Sequence, residues 1–224
     1  MSAAEALRTR PVLALAGTDV ACFASDMHLG EHDPDTARWF ITALEREVAQ
    51  ASHLFLLGDL FEVWVGDDQP DPQAERLIDA LLRLSGRGLW IGLMRGNRDF
   101  LLDVPIDGVR PVTTRSGATL LDDPTLIELF GERVLIAHGD AWCLGDTDYQ
   151  RFRAQVRQAP WQRQFIAQPL AERLAVARAM RRESEMRKAI TDLDLEHTGR
   201  EMERLGVRRL IHGHTHQPGA SNWD

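Results

Sequence analysis

The sequence predicts an α/β fold, a sheet with helices packed outside it, and three observations predict it. Short apolar runs that read as buried strands alternate with stretches of helical periodicity. Five of those runs end in groups that can carry chemistry: Asp26-x-His28, Gly58-Asp59, Gly96-Asn97, His138-Gly139 and His214-x-His216. Ligands of such sheets gather beyond the strand ends. Finally, 224 residues with 44% hydrophobic and 27% charged side chains make one ordinary globular domain, with room for an insertion.

Taken in order, Val12 to Ala16 follows Arg8 and Arg10, a pattern that imitates a signal peptide. The run is short and Asp19 follows it closely, so a tail or an extra edge strand is expected. Val20 to Ala24 is the first full strand. Asp33-Pro34-Asp35 starts a helix, with Trp39, Phe40, Leu44 and Val48 as its buried face. His53 to Leu57 is a strand, and Asp67 to Pro72 a polar loop. Glu75 to Leu84 is a helix with Leu77, Ile78, Leu81 and Leu82 inward, stopped by Ser85-Gly86-Arg87-Gly88. Leu89 to Met94 is a strand. Gly117 to Leu121, Pro124 to Leu129 and Val134 to Ala137 follow as further strands, with a turn at Gly131-Glu132-Arg133. Residues 147–205 form a helical region that Pro160 and Pro169 divide. Arg209 to Ile211 is the last strand.

The net charge of −8 argues against a nucleic-acid partner. Charge is uneven, because Asp146 to Lys188 holds ten Arg/Lys against five Asp/Glu. The two cysteines, Cys22 and Cys143, are far apart, which suits a reducing compartment and excludes a thiolate zinc site. No apolar run approaches the roughly 18 residues of a membrane span.

The candidate metal ligands are Asp26, His28, Asp59, Asn97, His138, His214 and His216. In extended chain, residues i and i+2 point the same way. Asp26 and His28 are therefore expected to share an ion, and His214 and His216 to face one centre. Seven donors exceed one tetrahedral ion and suit two ions about 3.5–4 Å apart that share Asp59. Oxygen and imidazole donors without thiolate point to Mn²⁺, with Fe²⁺, Zn²⁺ or Co²⁺ as alternatives. Each residue alone has a blander reading, such as a helix cap for Asp26, a core histidine for His138 or a turn residue for Asn97. Agreement at five strand ends makes coincidence the weaker account.

Asp-x-His, Gly-Asp, Gly-Asn-x-Asp, His-Gly and Gly-His-x-His, in this order, resemble the calcineurin-like metallophosphoesterases over nearly the whole chain. The resemblance implies a β-sandwich flanked by helices, with Asp59 bridging two ions. Asp26, His28 and His216 would complete one site, and Asn97, His138 and His214 the other. Gly58-Asp59-Leu60-Phe61-Glu62-x-Trp64-x-Gly66-Asp67-Asp68 and Gly96-Asn97-Arg98-Asp99-Phe100-Leu101-Leu102 are similar to the branch that cleaves UDP-linked diacylated glucosamine in lipid A synthesis. That branch implies a Mn²⁺-dependent pyrophosphatase in which water attacks the α-phosphate, with Asp59, Asn97 and His138 at the reacting centre. Many relatives carry His where this chain has Arg98. A forked guanidinium grips phosphate bidentately, although pairing with Asp99 or another nearby acid is the alternative.

The resemblance also implies that 147–205 is a helical lid within a single domain of residues 1–224. Asp146, Tyr149 and Ser184 match its substrate-binding positions, as do Asn97, Arg98 and His214. Lys188 stands in for a lid lysine, after a run that is shorter than in the family. Tyr149 packed on Phe152 is the plain alternative. Arg173, Arg178, Arg181, Arg182, Arg187 and Lys188, with Leu170, Leu174 and Ala177 as an apolar side, read either as a basic amphipathic helix on an anionic membrane or as a solvated face. A diacylated substrate favours peripheral attachment to the cytoplasmic face of the inner membrane, with no obligate protein partner. Relatives continue beyond Asp224 with strands that complete a sheet, so an incomplete sheet edge is expected. Two competing functions remain: a phosphatase or nucleotide hydrolase acting on a soluble substrate, and a remnant that binds UDP-lipid without turnover.

Overall fold

The structure, a computed structural model, describes residues 13–187 and 192–220, and the backbone alone over 183–187. Its strands are β1 (Leu13–Leu15), β2 (Ala21–Ala24), β3 (His53–Leu57), β4 (Trp90–Met94), β5 (Thr119–Leu121), β6 (Thr125–Leu129), β7 (Glu132–Ala137) and β8 (Arg209–His212). Its helices are α1 (Pro34–Glu47), α2 (Pro72–Ser85), α3 (Val112–Ser116), α4 (Thr147–Val156), α5 (Ala159–Ile166), α6 (Leu170–Arg187) and α7 (Leu195–Leu205).

The strands form two sheets, ordered β1-β6-β7-β8 and β2-β3-β4-β5. The second is wholly parallel. Strand side chains alternate between faces, and the buried residues sort accordingly. Phe55 and Leu57 of β3 meet Val134 and Ile136 of β7 in one cluster between the sheets. Leu54 and Leu56 point the other way and meet Ala37, Leu44, Leu77 and Leu81 of α1 and α2. Leu135 and Ala137 of β7 meet Met202 and Leu205 of α7. The arrangement is a two-sheet sandwich flanked by helices, where alternation alone suggested one sheet. The segment after Arg10 does supply an edge strand, since β1 pairs with β6 at the end of its sheet.

The helix starts follow local chemistry. Asp33 and Asp71 each precede a proline, and their carboxylates accept backbone N–H bonds from Thr36 and from Gln73 and Ala74. This satisfies donors that a helix start leaves unpaired, while proline suits the first turn. Pro160 and Pro169 fall at the starts of α5 and α6, and so divide the helical region.

Four expectations change. Trp39 is 70% exposed, because Ala37, Phe40, Ile41 and Leu44 form the inward stripe of α1 and Trp39 lies across the helix from it. Leu82 is exposed for the same reason, one position beyond the inward Leu81. Gly117 belongs to no strand: it caps the short helix α3 in left-handed conformation, and β5 begins at Thr119. The β6–β7 turn is Phe130-Gly131, both with positive φ, the geometry that a tight hairpin requires.

Phe55, stacked on Phe23 at 4.8 Å, is fully buried at the centre of the sandwich. Phe55→Ala is expected to cost about 3–5 kcal/mol, and Trp39→Ala to stay within about 0.5 kcal/mol. Urea unfolding of both variants measures the contrast.

Candidate metal centre

The loops after β2, β3, β4, β7 and β8 converge at one end of the sandwich, and their backbones lock them together. Asp26 N–H donates to Gly58 O (3.1 Å), His28 N–H to Asp59 O (3.0 Å) and Gly213 N–H to His138 O (2.9 Å). Five of the seven candidate donors have positive φ: Asp26 57°, His28 49°, Asp59 52°, His214 69° and His216 53°. Left-handed backbone at a non-glycine residue is uncommon and clusters at functional sites. It also corrects one expectation. Asp26 and His28 converge through two left-handed turns, and the i, i+2 rule of extended chain does not apply to them.

The donors separate into two groups around Asp59. On one side, His28 Nε2 lies 3.1 Å from His216 Nε2 and 3.7 Å from Asp59 Oδ2. His216 Nε2 lies 3.5 Å from Asp26 Oδ1. On the other side, Asn97 Oδ1 lies 2.9 Å from both His138 Nε2 and His214 Nδ1, and His138 Nε2 is 3.6 Å from Asp59 Oδ1. His214 and His216 therefore do not face one centre, as their spacing suggested. They divide between the two groups, and the two oxygens of Asp59 face opposite ways.

These distances fit ligands of a cation. A first-row ion at ~2.1 Å from nitrogen and oxygen holds its ligands about 3.0–3.4 Å apart. The chemistry fits as well. Leu57 O can only accept, so His138 Nδ1, 2.9 Å away, carries the proton there. Burial acts to lower His138, but the carboxylates of Asp59, Asp140, Asp26 and Asp123 raise it, so the surroundings favour positive charge where Nε2 meets Asn97 Oδ1, the place a cation would take. His214 is lowered to about 4 by burial and by His138, which keeps its ring neutral and able to coordinate. Burial pushes Asp59 up to about 8, with His138 opposing and Asp99 reinforcing the rise.

Two features that sequence reasoning passed over hold this centre. Asp99 is fully buried, and its carboxylate accepts N–H bonds from Gly96 (2.7 Å), Leu60 (2.7 Å) and Asp59 (3.3 Å). It ties the β3 loop to the β4 loop; its place in Gly96-Asn97-Arg98-Asp99 was the only signal of this. The two loops also cross in contact. A Cβ on Gly58 would lie 2.6 Å from Gly96 N, and one on Gly96 would enter the Asp59 carboxylate.

A cavity of about 380 Å³ opens beside the centre. Asn97, Arg98, Asp146 and Tyr149 line it, with apolar walls that include Trp64, Phe100, Phe152, Trp161 and Phe165. Arg98 does pair with a nearby acid, Glu62 at 3.1 Å rather than Asp99, and its guanidinium lies 3.9 Å from Asp59. Tyr149 donates its hydroxyl to Asp140, and its ring stacks 6.3 Å from that of His214. Burial acts to raise Asp140, but Arg153, His138 and Arg157 together hold it well below the usual carboxylate range. Asp146 caps α4, accepting from Tyr149 N–H at 2.9 Å. The Ser184 side chain and Lys188 lie outside the described residues.

The basic tract on α6 is divided. Arg173 is 2% exposed and pairs with Asp68, so it belongs to the interior. Leu170, Leu174 and Ala177 pack on Val65, Leu101, Phe165 and Ile166, which removes them from any membrane-facing side. Trp64 and Asp67, whose roles sequence reasoning left unexplained, are architectural. Asp67 accepts from the Trp64 indole N–H (3.0 Å) and from the backbone of Asp103 and Val112.

The calcineurin-like phosphoesterase profile matches residues 21–218. The chain belongs to the calcineurin-like phosphoesterases. Among relatives, UDP-2,3-diacylglucosamine hydrolase of Stenotrophomonas maltophilia (strain K279a) is 41% identical, over 88% of this chain and 82% of that one. The enzyme of the same name from Chromobacterium violaceum is 44% identical, over 88% and 82%. Among solved structures, Pseudomonas putida nuclease MPE superposes with a TM-score of 0.38 at 21% identity, over 53% of this chain and 52% of that one, a likeness too low to carry an argument. As a calcineurin-like phosphoesterase, the chain is a hydrolase of a family that works with divalent metal ions, and the converging Asp and His side chains offer a place for them.

Gly96→Ala is expected to displace the Asp59 carboxylate. Misplacement by about 1 Å costs on the order of a hundredfold in rate. Metal-dependent phosphoesterase turnover should fall by that order, with bound metal, measured by atomic emission, falling alongside it.

Proposed function

We propose that the chain hydrolyses the pyrophosphate bond of UDP-2,3-diacylglucosamine by attack of water at the α-phosphate, releasing UMP and 2,3-diacylglucosamine 1-phosphate in lipid A synthesis. One observation carries this reading: the two-sided donor cluster around Asp59 adjoins, through Asn97, a cavity lined by polar Arg98, Asp146 and Tyr149 and by apolar and aromatic side chains. A diphosphate joined to acyl chains has that same division of chemistry. The names of the relatives support the substrate.

Two divalent ions, Mn²⁺ in this proposal, would supply Lewis acidity at a phosphoryl oxygen and a more acidic water. Asp26, His28 and His216 would hold one, and Asn97, His138 and His214 the other, with Asp59 between them. The remaining work falls to other side chains. Arg98 lines the cavity and presents a forked donor to the diphosphate. Tyr149, oriented by Asp140, stacks on His214 and with Asp146 lines the cavity. Trp161 and Phe165, stacked at 4.9 Å, form an apolar wall that suits an acyl chain. The helical region 147–205 would then act as a lid, with Ser184 and Lys188 proposed as further substrate contacts.

Incubating the purified chain with UDP-2,3-diacylglucosamine tests this. UMP is expected with Mn²⁺ and none with EDTA, and Asp59→Ala should abolish release. Full activity in Asp59→Ala would end the two-metal reading, and faster cleavage of a soluble dinucleotide would end the lipid assignment.

The proposal extends to peripheral attachment at the cytoplasmic face of the inner membrane. Among the described residues, no helix is long and apolar enough to cross a membrane. On α6, Arg178 and Arg182 lie one turn apart and are both exposed, a basic face that suits an anionic interface. Sedimentation with phosphatidylglycerol vesicles at low salt should carry the protein down, and Arg178→Glu/Arg182→Glu should release it. Failure to sediment would refute attachment through this face.

A further inference from the structure

The stretch between Leu60 and Asp68 carries three carboxylates outside the donor set: Asp67, which holds Trp64 and nearby backbone, and Glu62 and Asp68, which meet arginines of α6. Glu62 has three basic partners on three different segments. Its Oε2 lies 3.1 Å from His28 Nδ1, an ion-pair contact off the line of a straight hydrogen bond. Its Oε1 accepts from Arg98 at 3.1 Å and also pairs with Arg181 of α6. A carboxylate with only 14% of its side chain exposed has little contact with water, and these partners take water's place.

The backbone under Glu62 is fixed. Leu29 and Phe61 form a parallel bridge, and Glu62 N–H donates to Leu29 O at 2.9 Å. Glu62 therefore acts as a stationary point, and its partners are the groups being held. The His28 ring is engaged at Nε2 by Asp59 and His216. Its other polar atom is Nδ1, and a carboxylate there sets ring orientation and donor strength in metal sites generally.

Asp68, six residues on, grips the same helix at a second point. Arg173 pairs with Asp68 and donates to Val65 O. Arg173 and Arg181 are eight residues apart, about 12 Å along α6 at 1.5 Å per residue. One short loop thus pins α6 at two sites, and only the Glu62 site also touches a candidate metal ligand.

We infer that Glu62 is a positioning residue for two groups at once: one carboxylate orients His28 at the metal centre and docks helix α6 beside the cavity. The inference rests on the reading of His28 as a metal ligand.

Two readouts that involve no substrate test it: Mn²⁺ affinity by titration calorimetry, and amide hydrogen exchange across residues 174–182. In Glu62→Gln, Mn²⁺ binding at one of two sites is expected to weaken about ten- to a hundredfold. Exchange at 174–182 should accelerate at least tenfold, while the Arg173 end of α6 stays protected. Arg181→Gln should accelerate exchange and leave Mn²⁺ affinity within about twofold, because His28 keeps Glu62. Glu62→Asp, one methylene shorter, keeps the charge but cannot span both partners, so it should shift both readouts in the same direction; it is the second variant if Glu62→Gln does not fold. An unchanged Mn²⁺ affinity or unchanged α6 exchange in the Glu62 variants overturns the inference, as does unchanged exchange in Arg181→Gln. Wild-type Mn²⁺ stoichiometry and UMP release report separately on the proposed function, so the two readings fail independently.

Discussion

The crossing of the β3 and β4 loops is the constraint on which the site depends. Gly58 and Gly96 pass so close that neither position admits a side chain. Asp99 takes three N–H bonds from the two loops and holds the crossing shut. Asp59 emerges at that point with one oxygen toward His28 and the other toward His138. A carboxylate can face two centres only if its backbone cannot rotate to favour one, and the crossing prevents that rotation. Burying Asp99 is costly in itself, and its backbone hydrogen bonds offset the cost.

The same logic extends outward. Left-handed backbone at Asp26, His28, Asp59, His214 and His216 costs of order 1–3 kcal/mol at each position. Hydrogen bonds between loops stabilise these conformations: His214 N–H donates to Asp26 at 2.9 Å, and Asp26 N–H to Gly58 O. Each loop is held by a neighbour from a different strand. The strain is therefore shared across the sandwich end, and no single turn could maintain it alone.

A second layer surrounds the first. Asp140 receives Tyr149 and Arg153 from α4, while Arg157 donates to Gly96 O at 2.9 Å. Glu62 and Asp68 receive Arg181 and Arg173 from α6. Buried or half-buried acids of the sandwich thus meet arginines of the helical segment. Of the ten basic residues between Asp146 and Lys188, four, Arg153, Arg157, Arg173 and Arg181, serve this docking.

Much of this was legible in the sequence, and the division follows a physical rule. Features set by a few adjacent residues could be read directly: strand runs, the Asp-Pro helix starts, the breaks at Pro160 and Pro169, and the donor types at five strand ends. The inward faces of α1 and α2 were read with single errors at Trp39 and Leu82, because the width of an apolar stripe does not say where its centre meets the core. The family resemblance carried the division of His214 and His216 between two groups, which their spacing alone misjudged. Tertiary structure decided what depends on segments far apart in the chain. It joined Asp59 to Asp99 and Gly96, gave Trp64 and Asp67 their architectural role, and turned the apolar side of α6 inward. It also placed Glu62 between His28 and Arg181, residues more than a hundred and fifty positions apart. Local periodicity records which way a side chain faces within its own element, whereas the identity of the group it meets is fixed only when separate elements pack.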